Sequence, residues 1–143
     1  MGISEASGDY VIILSAHCQI TSLNLEEMIS KLEEYSVVGV WGKQIPIMHG
    51  KKISRRYMWS NFKDESQTNY FSEAENRYFF HNAFSFFKRD FMKKNQFDEK
   101  YAGKEDRYWA IDMINNGNTI VYDSNSVVNH FYTNNGATWK GIG

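Results

Sequence analysis

The run Tyr10-Val11-Ile12-Ile13-Leu14, set directly after Gly8-Asp9, restricts the fold of this chain more than any other segment. An unbroken β-prone apolar stretch without alternation predicts a strand buried on both faces, the pattern of a central strand in a parallel sheet. Behind it, Asn24 with Glu27 makes a capping box, and Leu25, Met28, Ile29 and Leu32 recur at helical spacing, which predicts a helix over residues 24–35. Val37-Val38-Gly39-Val40-Trp41 predicts a second apolar strand. Strand, helix and strand in that order form a right-handed βαβ unit over residues 1–42, which places the chain in the α/β class.

The remainder follows the same style with one interruption. Residues 43–78 mix Lys51, Lys52, Arg55 and Arg56 with Tyr57, Trp59, Phe62, Tyr70 and Phe71 and lack periodicity, so a long, partly ordered excursion is expected there. Over residues 79–143, Ala83 to Phe87 reads as a strand, Lys88 to Asn95 as a short helix with Phe91 and Met92 inward, and Glu105 to Asn115 as a helix closed by Gly117. Thr119-Ile120-Val121-Tyr122 and Val127-Val128 read as two last strands parted by the turn formers Asp123-Ser124-Asn125.

A chain of 143 residues, 42% hydrophobic, suffices for a single domain with a real core. Its 16 basic and 17 acidic residues nearly cancel, so no global field directs it to nucleic acid. Cys18 is the only cysteine, which excludes an internal disulfide and fits a reducing, cytoplasmic compartment. Met1 to Asp9 lack the features of a secretory signal, and no apolar run approaches the roughly 20 residues that span a bilayer. Work at the inner face of a membrane stays open.

Ligands of open α/β sheets bind beyond the carboxyl ends of the strands, so Ser15-Ala16-His17, directly after the first strand, is a candidate site. His17 can offer an imidazole to a divalent cation or a hydrogen bond to a phosphate, or simply satisfy loop carbonyls. Glu105 and Asp106 open a helix, where one acid suffices for capping; two at a cleft edge suit general-base work. His130 ends the strand Val127-Val128-Asn129 and is a candidate ligand, whereas His49 and His81 read as structural or exposed. The basic cluster Lys51, Lys52, Arg55 and Arg56 is either a solvated face or a phosphate contact.

In order, these segments resemble family-two glycosyltransferases. Ala6-Ser7-Gly8-Asp9 and the strand after it resemble the turn and strand that lead into the family's Asp-x-Asp motif. Gly42-Lys43-Gln44-Ile45-Pro46 resembles the "G-x-Q-x-P" segment, and His81-Asn82-Ala83 with Lys88-Arg89 the strand before the acceptor region. Lys104-Glu105-Asp106 resembles "x-E-D", and Gly117 through His130 the "G-x-x-(I/V)-x-Y … V-x-H" ending. The resemblance spans nearly the whole chain and implies a GT-A type fold, a Rossmann-like mixed sheet flanked by helices. It implies inverting transfer from a nucleotide diphosphate sugar to a saccharide or lipid-linked saccharide, in cell-surface polysaccharide or cell-wall synthesis. Carried over, Asp106 is the base with Glu105 beside it, Ser15, Ala16 and His17 meet the diphosphate, and Gln44, Asn82 and Trp59 meet the acceptor. His17 and His130 would hold a divalent cation, Mn²⁺ or Mg²⁺.

Ser15 and His17 stand where the family carries carboxylates, which weakens the case for a hard cation. The family's nucleotide-binding half is also not found ahead of Ala6, so the chain reads as the C-terminal part of a catalytic domain, weakly active or inactive alone. The strand at Tyr10 would then expose a sheet edge and favour self-association. Two further readings stand beside the enzyme: a non-catalytic carbohydrate- or partner-binding module derived from such a transferase, and a metal-dependent phosphoester hydrolase using His17, Glu105, Asp106 and His130.

Overall fold

The computed structural model describes residues 2–52 and 57–134. Arg55 and Arg56, half of the basic cluster, and the side chain of Tyr57 lie outside the described residues. In chain order the elements are α1 (Gly2–Glu5), β1 (Tyr10–Leu14), β2 (Cys18–Ser22), α2 (Leu25–Glu33), β3 (Val37–Met48), β4 (Lys51–Lys52), β5 (Gln67–Thr68), β6 (Phe71–Ser72), β7 (Arg77–Tyr78), β8 (Phe84–Lys88), α3 (Arg89–Lys94), α4 (Glu105–Asn115) and β9 (Thr119–Phe131). Short 3₁₀ turns occupy Tyr57–Asn61 and Glu99–Tyr101. One mixed sheet has the order β1-β8-β3-β9-β2, with β4 on β3 and β5 on β9, while β6 and β7 form a separate hairpin. This is the expected α/β class: a curled mixed sheet flanked by helices.

The two faces of the sheet bury different chemistry. Asn24 caps α2, its side chain accepting from Glu27 N at 3.2 Å, and the helix lays Met28 and Leu32 against Val40, Phe84, Phe86 and Val128. On the other face Trp41 is wholly enclosed, 4.4 Å from the Tyr122 ring centroid and packed on Phe62, Phe79 and Phe80. Trp109 of α4 joins this layer against Phe80, Phe87 and Phe97, and its Nε1 donates to Asn95 O at 2.7 Å.

Three expectations need correction. First, β1 is an edge strand and not a central one: its neighbour is β8 alone, antiparallel, and Ile12 and Leu14 are 43% and 41% exposed. β1 and β3 do run parallel, but β8 lies between them, so residues 1–42 do not form an adjacent βαβ pair. An apolar run fixes neither the number of neighbouring strands nor burial on both faces, and here Val11 and Ile13 pack on the core while Ile12 and Leu14 stay open.

Second, residues 43–78 hold more order than their sequence suggests. β3 continues through Pro46 to Met48, with its parallel partner β9 extending alongside and Pro46 opposite His130. Third, Asp123-Ser124-Asn125 does not end a strand. Gly42 pairs with Asp123 and Lys43 with Val127, so Ser124, Asn125 and Ser126 bulge out of one continuous β9. The carboxylate of Asp123 closes the bulge by accepting from Ser126 N at 2.8 Å, and it pairs with Lys31 Nζ of α2 at 2.8 Å. Burial opposes the Asp123 charge, yet the Lys31 and Ser126 hydrogen bonds hold its carboxyl below the usual range.

The bulge makes its own demand on β3. A Cβ at Gly42 would fall against the Phe84 ring and 2.7 Å from the Ser126 carbonyl oxygen, and backbone cannot step aside. We expect Gly42→Ala to destabilise the protein by about 1–3 kcal/mol, the usual range for overpacking, read as a lowered urea midpoint; an unchanged midpoint would show that the bulge yields.

Candidate functional site

The turn Ser15-Ala16-His17 carries the chain from the edge strand β1 to the opposite edge strand β2. It is clamped from both sides: Ser15 N donates to Ala83 O at 2.8 Å, and Phe131 N donates to His17 O at 2.8 Å. The start of β8 and the end of β9 are thereby drawn to the same end of the sheet. β2 itself went unrecognised in the sequence, since Cys-Gln-Ile-Thr-Ser has no apolar periodicity and lies largely exposed. His17 is exposed, and its N–H reaches Ser15 Oγ at 3.5 Å. Cys18 follows it half-buried; burial pushes its thiol up to about 12, only partly offset by a hydrogen bond with Ser15.

Asp106 is delivered by α4. Gly103, at φ +75°, turns the chain after the 3₁₀ segment, and Tyr101 stacks on Tyr108 with centroids 4.1 Å apart. Asp106 shares the helix face of Trp109, Ala110 and Met113, all buried, so its half-buried carboxylate is turned toward the sheet. There Oδ2 accepts from Asn82 N at 3.2 Å and Oδ1 from Arg107 N at 2.8 Å. Glu105 faces elsewhere, into a cavity of about 780 Å³ between β1, α1 and the loop before α4, with Asn82 and Leu14 on its walls. Its Oε2 is buried and makes no hydrogen bond among the described residues.

The third part of the site is a hydrogen-bonded chain through the sheet. Gln44, 1% exposed, has Oε1 2.8 Å from His130 Nδ1 and Nε2 3.1 Å from His81 Nδ1. Aromatic walls enclose both rings: Trp59 packs edge-on against His130, and Phe62 lies against His81. Burial, and then the charges of His81 and His17, push His130 down to about 3. His81 is also pushed down by burial, against an opposing pull from Asp106. Both imidazoles are therefore neutral in ordinary conditions.

The structure thus gathers Asp106, Asn82, His130, Gln44 and the Ser15 to His17 turn at one end of the sheet. Of the acceptor candidates, Asn82 lines the cavity, Gln44 is enclosed between histidines, and Trp59 is buried at 6% exposure. Two features escaped sequence reasoning. His81, read as structural or exposed, is half-buried and hydrogen-bonded to Gln44. Glu75 of the β6–β7 turn binds the guanidiniums of Arg77 and Arg107 and accepts from Asn61 Nδ2 at 3.1 Å. The sequence carried no signal for it, because Glu75 and Arg77 lie in an irregular stretch and Arg107 in a distant helix.

A family model described as Glycosyl transferase family 2 matches residues 1–95. That stretch contains Ser15, His17, Gln44, Trp59 and Asn82, while Glu105, Asp106 and His130 follow it. No curated protein matches the chain significantly.

Because the folded imidazole of His130 binds its proton far less readily than an unfolded one near 6.5, the unfolded chain takes up more protons as pH falls between those values. Stability is expected to be full above about pH 6.5 and to decline progressively toward pH 3. Denaturant midpoints over this range should slope less steeply in His130→Asn than in the wild type; equal slopes would place the acid sensitivity elsewhere.

Proposed function

Since the chain belongs to glycosyl transferase family 2, we propose that it forms the acceptor-side, catalytic part of a sugar-transfer site. The donor would be a nucleotide diphosphate sugar and the acceptor a saccharide hydroxyl. Asp106 takes the hydroxyl proton as the acceptor oxygen bonds to the anomeric carbon. The bond from that carbon to the diphosphate breaks with its electron pair leaving on the phosphate oxygen, so the anomeric configuration inverts. The observation that supports this best is the setting of Asp106: a carboxylate on the inward face of a helix start, oriented by two backbone N–H groups rather than by a cation. Asn82, whose backbone holds Asp106 and which lines the cavity beside Glu105, is the best placed of the acceptor contacts.

Members of the family typically use a divalent cation, and the resemblance assigns it to His17 and His130. Among the described residues no three His, Cys, Asp or Glu side chains stand together to hold one. Two imidazoles without a carboxylate are a poor set for a hard cation, so the described residues do not make such a site. The same donor set disfavours the phosphoester hydrolase. Ser15 and His17, standing where carboxylates are usual, favour one second reading: a carbohydrate-binding module that has lost turnover.

Asp106→Asn separates the two readings. In the full-length gene product we expect it to keep nucleotide-sugar affinity, measured by calorimetry, while transfer to acceptor falls by roughly 10²–10⁴-fold, the usual contribution of a general base. Undiminished transfer by the variant would remove Asp106 from the mechanism; binding without transfer in the wild type would favour the module.

A further inference from the structure

Two guanidiniums line one cleft of about 320 Å³ between the β6–β7 hairpin and the start of α4, whose walls are Ala74, Glu75, Arg77 and Arg107. Arg77 is fixed: Nη1 donates to Tyr78 O at 2.9 Å, Nη2 donates to Glu75 Oε2, and the guanidinium lies over the Phe79 ring, 5.2 Å from its centroid. Its Nε is buried and has no hydrogen-bond partner among the described residues. Arg107 is held less firmly. Its Nη2 stands 3.5 Å from the same Glu75 oxygen, longer than a charge-assisted hydrogen bond, and its side chain is 35% exposed. Glu75 is tied away from it, because the other carboxylate oxygen accepts from Asn61 Nδ2 at 3.1 Å.

One carboxylate therefore answers two guanidiniums, and the walls of the cleft keep one positive charge in excess. Burial weighs most against the Arg77 charge and the like charge of Arg107 adds to it, with Glu75 and Asp106 on the other side. Asp106 gives no direct relief, since its oxygens accept from backbone amides. An anion entering the cleft meets the guanidinium edge that Glu75 leaves open, in the planar fork that suits a carboxylate or a phosphate. The volume is at the low end of small-molecule sites, about 300–1,000 Å³, and suits an acidic group with its ring rather than a whole nucleotide sugar. We propose that Arg77 and Arg107 form an anion subsite next to Asp106, which receives the carboxylate or phosphate of an acidic saccharide acceptor. Glu75 holds the guanidiniums in place while the subsite is empty and shares them with the ligand when it fills. Arg107 directly follows Asp106, so an acceptor gripped there is anchored one residue from the proposed base. That the anion belongs to an acceptor rests on the function proposed above; that the pair binds an anion does not.

The test is a titration of the chain at constant ionic strength with glucuronate, glucose 6-phosphate, inorganic phosphate and glucose, followed by calorimetry and by the arginine Nε–H signals in ¹H–¹⁵N spectra. Glucuronate and glucose 6-phosphate separate a carboxylate from a phosphate as the recognised group, and glucose is the uncharged control. At least one acidic sugar is expected to bind saturably, to shift the Arg77 and Arg107 signals, and to bind no more weakly than inorganic phosphate. Arg107→Gln should weaken that binding by roughly 10-fold or more, the usual weight of a hydrogen bond to a charged group. Glu75→Gln should tighten it, because the internal carboxylate no longer competes. Saturation by neither acidic sugar, equal binding of glucose, or a wild-type titration in Arg107→Gln would overturn the proposal. So would an unchanged affinity in Glu75→Gln, which keeps the test decisive should Arg107→Gln fail to fold. Inorganic phosphate binding where both acidic sugars do not would remove the acceptor from the assignment. Acidic-sugar binding by a full-length gene product that transfers no sugar would sink the transferase reading alone.

Discussion

Gln44 and His130 can share a hydrogen bond only because β3 and β9 run parallel in a register that sets Gln44 beside Val128 and Pro46 beside His130. That register is not the one with which the two strands begin. Ahead of the bulge Trp41 pairs with Tyr122; beyond it, Ser124, Asn125 and Ser126 have no counterpart on β3, and the pairing resumes displaced. Removing the bulge would slide His130 along β3 and reverse the face of side chains beyond it wherever the shift is odd. Gly42, the Asp123 carboxylate and Lys31 are therefore parts of the site's framework although none of them touches it. The glycine makes room, the carboxylate closes the extra loop of backbone, and the lysine balances a charge that burial would otherwise disfavour.

The bulge also divides the sheet. Its first part takes β8 and β1 on the open side of β3, and its second takes β2 on the far side of β9. Because each edge strand lies along a different part, the short turn Ser15-Ala16-His17 suffices to pass between them. The crossing brings three loops of distant sequence together: that turn, residues 81–83 and the end of β9. Water is kept from the polar chain inside by Trp59, Phe62 and their neighbours, and exclusion of water is what keeps both histidines neutral and their hydrogen bonds directional.

How far this could be read from sequence depended on whether the governing force was local. The helix at residues 25–33 follows from the Asn24 cap and its apolar spacing, and α4 from its acidic start and Gly117, so both were legible. Asp123-Ser124-Asn125 misled because the residues that make turns also make bulges, and only the partner strand decides between them. β1 misled because an unbroken apolar run can lie at a sheet edge with only one face covered. For the site, Asp106 and His130 stood out by position, while the pairing of Gln44 with His81 depends on a register that no local pattern encodes. His81 has no distinguishing neighbour in the chain; its role comes from the strand that passes beside it.

Charge placement around Asp106 follows the same logic of partners chosen at a distance. Arg107 is its neighbour in sequence, and Arg77 lies close enough to influence the same ring, His81, that Asp106 influences. Glu75 draws both guanidiniums to itself: Arg77 closely, and Arg107 at 3.5 Å. Asn61 holds Glu75 from the other side, and Tyr70 in turn donates to Asn61 at 3.2 Å. Asp106 is left to two backbone amides, which orient its oxygens without a mobile counter-charge. The Asp106 carboxylate is thus oriented by the fold, and Glu75, which occupies the neighbouring guanidiniums, and Asn61, which holds Glu75, come from the irregular stretch whose sequence says least.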